Sequence, residues 1–219
     1  VNAQSEASLR DIIDKGLEKV KEVTSKPTKK SPKQWDEELE KSIIAHEGYR
    51  GHMYLDTEEV PTVGIGHTVK AGGPDPKHYS RSQTSRRLSM KEAKTVLKQD
   101  LKKVKQTTQN ILNKFQPKDK QGKVLPNSVK GIKNLDPAAK NIVTEMIFQM
   151  GPKVGNWTKM LTALQNKNYK LASKHMLTNF EDTGGKYPHT QISIPIGPTQ
   201  WANQTKTRAE ELARRMRNI

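Results

Sequence analysis

Two acidic residues flank a turn-rich segment in the first third of this basic, polar chain. The stretch HEGYRGHMYLDTEEVPTVGIGH, residues 46–67, contains Glu47 and Asp56 and ends in Gly-x-Gly-His. Cleaving a glycosidic bond requires a proton for the leaving oxygen and a carboxylate that supports positive charge or orients a water. Two carboxylates in unlike surroundings can supply both functions. This pair is therefore a candidate acid–base site for sugar hydrolysis.

The neighbours of the two carboxylates favour different protonation states. Glu47 follows an apolar helix end, and burial there would favour the protonated acid, whereas Asp56 lies in the polar turn LDTEE and should stay ionised. Thr62 offers a hydroxyl that can hold the water oriented by Asp56. Gly64 and Gly66 remove side chains where a sugar chain could approach the backbone.

A structural interpretation stays open for the same residues. Glu47 could cap a helix or form a salt bridge, Asp56 could form an Asx-turn, and Gly-x-Gly could be a bulge.

Charge and composition restrict the class of protein. Lys and Arg number 39 against 23 Asp and Glu, a net charge of +16, which predicts attraction to nucleic acid or to an anionic bacterial envelope. An aromatic content of 5% disfavours a nucleic-acid stacking surface. The chain has no cysteine, and its six histidines lack metal-ligand spacing, so we expect neither metal nor cofactor. No apolar run approaches the ~20 residues of a membrane span, and no signal peptide is seen.

The pattern of apolar residues predicts an α+β fold with an appended N-terminal arm. Residues 8–24 have the apolar spacing of an amphipathic helix, and a Pro/Lys-rich linker follows them. Residues 1–33 are therefore predicted to be an N-terminal arm, which either packs on the protein or docks to a larger assembly. Residues 34–219 are predicted to be the catalytic domain. A helix from Lys33 to Ala45 precedes a small irregular antiparallel sheet in a lobe spanning residues 46–87, whose end, residues 71–87, reads as loop.

The remaining residues, 88–219, are predicted to be helical apart from one insertion. Ser89 with Glu92 forms a capping-box pattern before a long helix, and Asp136-Pro137 starts a deeply buried one. Shorter helices are expected near residues 157–164, 169–177 and 205–217, with a Gly/Pro-rich insertion at 180–199 that should border the cleft.

The order of three motifs resembles a known family. Glu47-Gly48-x-Arg50, Tyr54-x-Asp56-Thr57-Glu58 and Pro61-Thr62-x-Gly64-Ile65-Gly66-His67 are similar to the catalytic segment of the phage-type (T-even bacteriophage) lysozymes, glycoside hydrolase family 24. Later stretches, at residues 88–101, 147–151 and 200–209, resemble further motifs of that family in the same order. The resemblance covers residues 36–217, about four-fifths of the chain.

The resemblance implies a two-lobed lysozyme fold, with a sheet lobe and a larger helical lobe joined by a long helix around a cleft. It implies hydrolysis of the β-1,4 bond between N-acetylmuramic acid and N-acetylglucosamine in peptidoglycan. Glu47 would be the general acid, while Asp56 and Thr62 would position an attacking water with inversion. The two carboxyl groups should then lie about 6.5–9.5 Å apart.

Further roles follow from the resemblance alone. Arg208 would pair with the catalytic glutamate and, with Gly64, Gly66 and Phe148, form the substrate-binding set. His67 would be structural beside the cleft, and Gln149 with Trp201 would brace the helical lobe.

Two positions depart from the family pattern. His46 stands where an acidic residue is common, and a cationic imidazole there would oppose the acid role of Glu47. Glu145 stands where a neutral amide is usual, and if buried it needs a partner such as an arginine.

Alternative functions are a lytic transglycosylase, or a catalytically silent basic protein that binds cell wall or nucleic acid. The expected partner is bacterial peptidoglycan, with a phage virion or tail assembly as a second partner of the N-terminal arm. The expected location is the host cytoplasm before release to the wall, or the virion.

Overall fold

The computed structural model describes residues 30–56, 59–69, 87–119, 121–126, 128–183 and 192–219. The chain divides after Gln34 into two units, and only residues 30–34 of the first are described. The predicted helix at 8–24 and residues 71–86 of the predicted loop lie outside the described residues.

Helix α1, Pro32–Glu47, ends at the first candidate catalytic residue. Its buried positions, Leu39 and Ile43, are four residues apart and so lie on one face. Gly48 follows with φ +69°, and its N–H bonds the carbonyl of Ile44 at 3.0 Å, so the chain leaves the helix in a left-handed turn. The predicted helix, Lys33 to Ala45, is confirmed and extends slightly further at both ends.

Three short antiparallel strands follow in the order β1-β2-β3: Arg50–Leu55, Pro61–Gly64 and His67–Thr68. Tyr54 lies opposite Thr62, and the β1–β2 register is irregular between Arg50 and Tyr54. The predicted small irregular sheet is confirmed. The turn from β1 to β2 carries Asp56.

Helix α2, Met90–Lys114, contributes to two separate cores. Its first half gives Ala93, Leu97 and Leu101 to a cluster that includes Leu39 of α1. Its last turns give Leu112 to the large cluster of the helical lobe. The helix therefore joins the two lobes, and its start carries the predicted Ser89–Glu92 capping box with both bonds made.

Helix α3, Pro137–Met150, is the central buried helix that the sequence predicts. Asp136 caps it, since its side chain accepts the N–H of Ala138 at 2.8 Å, and Pro137 occupies the first turn. Residue Ala139 and the whole run 141–147 are buried. The helix ends at Phe148–Met150, beside the groove described below.

The remaining helices described in the helical lobe are a 3₁₀ helix, Gly151–Asn156, and four short α-helices. These are α4 (Thr158–Gln165), α5 (Tyr169–Leu177), α6 (Gln200–Thr205) and α7 (Thr207–Arg217). Together with α3 they enclose a core that includes Trp201, Met160, Met176 and Leu212.

The predicted insertion at residues 180–199 contributes two strands that the sequence analysis did not predict. Thr178–Thr183 (β4) and Ile192–Pro198 (β5) form an antiparallel ribbon, and residues 184–191 of the insertion lie outside the described residues. The alternation of Ile192, Ile194 and Ile196 has the period of a strand, and this signal outweighs the Gly/Pro content of the insertion.

The predicted final helix, about residues 205–217, is confirmed as α7, and α6 precedes it as a separate short helix. Lys206 takes φ +32° between α6 and α7, while its N–H bonds the carbonyl of Ala202 at 2.9 Å and its carbonyl accepts the N–H of Glu210 at 3.0 Å. One residue thus ends one helix and starts the next.

The whole is an α+β fold, as predicted. In the part of the chain that the structure describes, every helix is too short or too polar to cross a bilayer.

Candidate active site

A groove of about 1310 Å³ runs between residues of the sheet lobe and residues of the helical lobe. Glu47, Asp56 and Thr62 line it on one side, and Phe148 and Trp201 on the other. The three predicted catalytic residues therefore share one open cavity.

Glu47 is held from behind by an arginine and packed against a glycine. Arg208 Nη1 donates to Glu47 Oε1 at 2.7 Å, and the arginine is 8% exposed. Gly66 has φ +64°, and a Cβ at this position would lie 3.1 Å from Glu47 Oε2. Glycine is required for this approach, and the paired Oε1 leaves Oε2 on the side of Gly66, which lines the groove.

Asp56 and Thr62 are both anchored to the backbone of Val60. Asp56 Oδ1 accepts the Val60 N–H at 2.9 Å, and the Asp56 N–H donates to the Val60 carbonyl at 3.0 Å. Thr62 Oγ1 donates to the same carbonyl at 3.1 Å. Because the hydroxyl proton is used there, the lone pairs of Thr62 stay available to accept from a water.

Tyr54 also lines the groove near both carboxylates and was not among the predicted site residues. Burial raises the pKa of Tyr54 above its ordinary 10.0, Arg50 opposes this, and Glu47 and Asp56 raise it further. The guanidinium carbon of Arg50 is 4.3 Å from the ring centroid. Tyr54 is thus a neutral phenol at neutral pH. The signal was its place in the motif, two residues before Asp56.

The resemblance also implied structural roles for Gln149, Trp201 and His67, and each of these side chains contacts a partner. Trp201 Nε1 donates to Gln149 Oε1 at 2.8 Å, so the bracing pair is present, and Trp157 packs edge-on against Trp201 with centroids 5.8 Å apart. His67 Nδ1 lies 2.6 Å from Asp100 Oδ2 and ties β3 to α2. Both Gln149 and Trp201 also line the groove.

Two residues of the predicted substrate-binding set lie away from the groove lining. Gly64 is buried against α2, where a Cβ would meet that of Ala93 at 3.3 Å. Arg208 lies behind Glu47 and is not among the lining residues. Gly66 and Phe148 do line the groove.

The two departures from the family pattern contact each other. His46 Nδ1 lies 2.6 Å from Glu145 Oε1, and Glu145 has 0% exposure. Arg208 Nη2 is 3.5 Å from the same oxygen. The partner that a buried Glu145 requires is therefore present.

Sequence reasoning missed most of the helical wall of the groove. This wall includes polar residues from the 3₁₀ helix to α6, namely Lys153, Asn156, Lys159, His175, Asn179 and Gln204. Thr199, the last residue of the insertion, lines the groove, as do Thr178 and Asn179, which precede the insertion. No group of His, Asp and Glu in the described residues is placed to hold a metal ion.

An α+β fold with two carboxylates lining one long groove is an arrangement typical of enzymes that hydrolyse glycosidic bonds. The family model described as Phage lysozyme matches residues 44–125, so the predicted resemblance to phage-type lysozymes is confirmed over that segment. The match includes Glu47, Asp56 and Thr62, and it supports a peptidoglycan-hydrolysing lysozyme in general terms. No curated protein matches the chain significantly.

Proposed function

We propose that the protein is a muramidase that hydrolyses the β-1,4 bond between N-acetylmuramic acid and N-acetylglucosamine, with inversion. The observation that carries this proposal is that Glu47, Asp56 and Thr62 line one groove. Its volume, about 1310 Å³, exceeds the roughly 300–1,000 Å³ of small-ligand pockets, as suits an extended polymer.

Glu47 supplies the proton for the bridging oxygen. Arg208 holds Oε1, so the proton is carried by Oε2, the oxygen beside Gly66. This fixed orientation removes rotational freedom from the acid before the substrate arrives. The proton passes from Oε2 to the leaving sugar oxygen as the glycosidic bond breaks.

Asp56 and Thr62 direct the water. Ionised Asp56 and the lone pairs of Thr62 can accept the two hydrogens of one water, whose own lone pair then points to the anomeric carbon. Asp56 takes up the proton that this water loses. Attack from the face opposite the leaving group inverts the anomeric centre, which requires the predicted separation of about 6.5–9.5 Å between the carboxyl groups.

The helical wall supports recognition of acetylated amino sugars. Neutral amides of Gln149, Asn156 and Gln204 line the groove and can bond acetamido and hydroxyl groups without charge.

Digestion of purified peptidoglycan, followed by mass spectrometry of the products, tests the proposal. We expect reducing N-acetylmuramic acid ends, and a rate about 100- to 10,000-fold lower for Glu47→Gln, whose amide cannot donate the proton as an acid does. Product NMR should give the inverted anomer first.

Three outcomes would contradict the proposal. Products with anhydro-muramic ends would show that the enzyme is a lytic transglycosylase. Equal rates for wild type and Glu47→Gln would show that Glu47 is not the acid. Binding to the cell wall without turnover would indicate a catalytically silent binding protein. Asp56→Asn is the second variant, because a transglycosylase has no need of the water that Asp56 orients.

The place of action that we propose is the bacterial wall, reached from the host cytoplasm or from a virion. The N-terminal arm, residues 1–33, is the candidate attachment to a particle. Mass spectrometry of purified particles distinguishes the two routes, since only a virion-borne enzyme is found in them.

A further inference from the structure

A cluster of charged and polar side chains lies behind Glu47, on the side away from the groove lining. We call it the rear cluster: Ser42, His46, Glu145, Arg208, Glu211 and Arg215. It joins α1, α3 and α7, and none of its members lines the groove.

Glu145 is the centre of the rear cluster. Its side chain is fully buried, with Ser42 Oγ 2.7 Å from Oε2 and His46 Nδ1 2.6 Å from Oε1. Arg208 Nη2 lies 3.5 Å from Oε1, and Arg215 Nη1 lies 3.8 Å from Oε2. A buried carboxylate is tolerated only beside such partners, and these four contacts supply them to Glu145.

His46 bridges two carboxylates. Nδ1 contacts Glu145 at 2.6 Å and Nε2 contacts Glu211 Oε2 at 3.1 Å. Ionised carboxylates only accept hydrogen bonds, and a neutral imidazole has a single N–H donor. Both contacts are satisfied together only when the imidazole is cationic or a carboxyl group holds the extra proton.

Arg208 connects the rear cluster to the acid. Its Nη1 donates to Glu47 at 2.7 Å while its Nη2 faces Glu145. Without Glu145, the guanidinium and a cationic His46 would act on Glu47 with no buried anion to balance them. Both cations would favour ionised Glu47, which cannot donate a proton.

We propose that Glu145 is a positioning residue that, through Arg208 and His46, keeps Glu47 oriented and protonated and so sets the upper pH limit of activity. The proposal rests on the proposed role of Glu47 as the acid. The charged groups that face Glu145 are His46 on α1 and Arg208 and Arg215 on α7, with Glu211 one contact further on. Glu47 faces Arg208, and the nearby phenol of Tyr54 stays neutral in this pH range.

The test compares wild type with Glu145→Gln in the full-length protein. In the pH profile of kcat on soluble peptidoglycan fragments, the alkaline limb should move to lower pH by about one unit in the variant. KM should hardly change, because Glu145 lies outside the groove. Carbon-13 NMR of the Glu47 carboxyl, assigned with Glu47→Gln, should give a titration midpoint displaced in the same direction.

Glu211→Gln is the matched control. It removes a negative charge that contacts His46 and Arg215 and lies one contact further from Glu47 than Glu145 does, so the alkaline limb of its pH profile should move less than half as far. If Glu145 has only a structural role, Glu145→Gln should lower activity equally at every pH and leave the alkaline limb of the pH profile and the NMR midpoint of Glu47 unchanged. That result would overturn the proposal.

His46→Gln keeps the proposal falsifiable if Glu145→Gln does not fold. This substitution removes a cation near Glu47, so the alkaline limb of the pH profile and the NMR midpoint of Glu47 should stay where they are or move to higher pH. Movement of either to lower pH would refute the proposal. The NMR titration needs no turnover. A displaced midpoint in an enzyme that leaves peptidoglycan intact would support this inference while rejecting the proposed function.

Discussion

At the scale of single residues, the groove is organised by a few backbone contacts. Val60 anchors both Asp56 and Thr62, with the carboxylate on its N–H and the hydroxyl on its carbonyl. Gly66 permits the close approach of Glu47. These contacts fix the three side chains before substrate binds, which is the condition for effective proton transfer and water attack.

Thr62→Ala should lower kcat about 10- to 1,000-fold with little change in KM, because the water loses one of its two acceptors. Steady-state rates on soluble peptidoglycan fragments measure this. Thr62→Ser keeps the hydroxyl and should retain most activity. Unchanged turnover in Thr62→Ala would remove this residue from the mechanism.

Gly66→Ala should lose activity as well as stability, since the added Cβ would lie 3.1 Å from Glu47 Oε2 at a left-handed φ. Gly122→Ala is the matched control, because Gly122 has φ +79° with nothing within 4 Å of the added atom. Both should lose about 1–2 kcal/mol of unfolding free energy, and only Gly66→Ala should lose turnover. Equal activities in the two variants would show that Glu47 tolerates displacement.

Tyr54 should ionise above pH 10.0, because burial raises its pKa in the folded protein. The folded state binds this proton more tightly than the unfolded chain, so the resulting stability is present below the unfolded pKa and is lost as pH rises through the folded pKa. The difference in phenolate absorbance between wild type and Tyr54→Phe during an alkaline titration measures it. A midpoint below that of a free tyrosine would contradict the expected sign.

At the scale of elements, helix α2 determines how the two lobes are joined. Its capping box starts the helix at Met90, and its two halves pack into different cores. Local hydrogen bonds hold the start of α2, so the contribution of this helix cap to stability can be measured separately from catalytic activity.

Ser89→Ala should lower the free energy of unfolding by about 1 kcal/mol, because the Ser89 hydroxyl no longer accepts the Glu92 N–H or donates to the Glu92 carboxylate. Thermal or urea unfolding measures the loss, and kcat should be unchanged. Thr95→Ala, on an exposed position of the same helix, should change stability by less than about 0.5 kcal/mol. Equal losses of unfolding free energy in the two variants would mean that the helix cap does not contribute to stability.

At the scale of the whole molecule, the net charge of +16 should favour encounter with an anionic substrate. Long-range attraction to an anionic wall raises the association rate, and salt screens it within a Debye length of about 8 Å at physiological ionic strength.

Lysis of whole, anionic cell walls should therefore slow as salt rises from low to physiological concentration, while turnover of small uncharged sugar fragments should not. Parallel rate measurements on the two substrates check this. Equal salt dependence would place the effect on the catalytic step and not on the encounter.

Much of the fold follows from local sequence signals. The capping box at Ser89, the Asp136-Pro137 start of α3 and the apolar periodicity of α1 predict helices that the structure contains. The motif from Glu47 to His67 also predicts the candidate catalytic residues, because neighbours in sequence meet within one short sheet.

Other features depend on contacts between distant residues. The helix break at Lys206 depends on packing, and the β4–β5 ribbon depends on strand pairing. The composition of residues 178–206 predicts neither of them. The helical wall of the groove likewise consists of residues brought together by the fold of α3 to α6.

The sequence by itself determined the α+β class, the helix starts and the candidate catalytic residues, because these depend on capping, periodicity and a compact motif. Only the tertiary structure decided that His46 and Glu145, 99 positions apart, contact each other behind Glu47. The reason is physical: a buried charge is tolerated only beside its partner, and the partner is chosen by the packing of α1, α3 and α7.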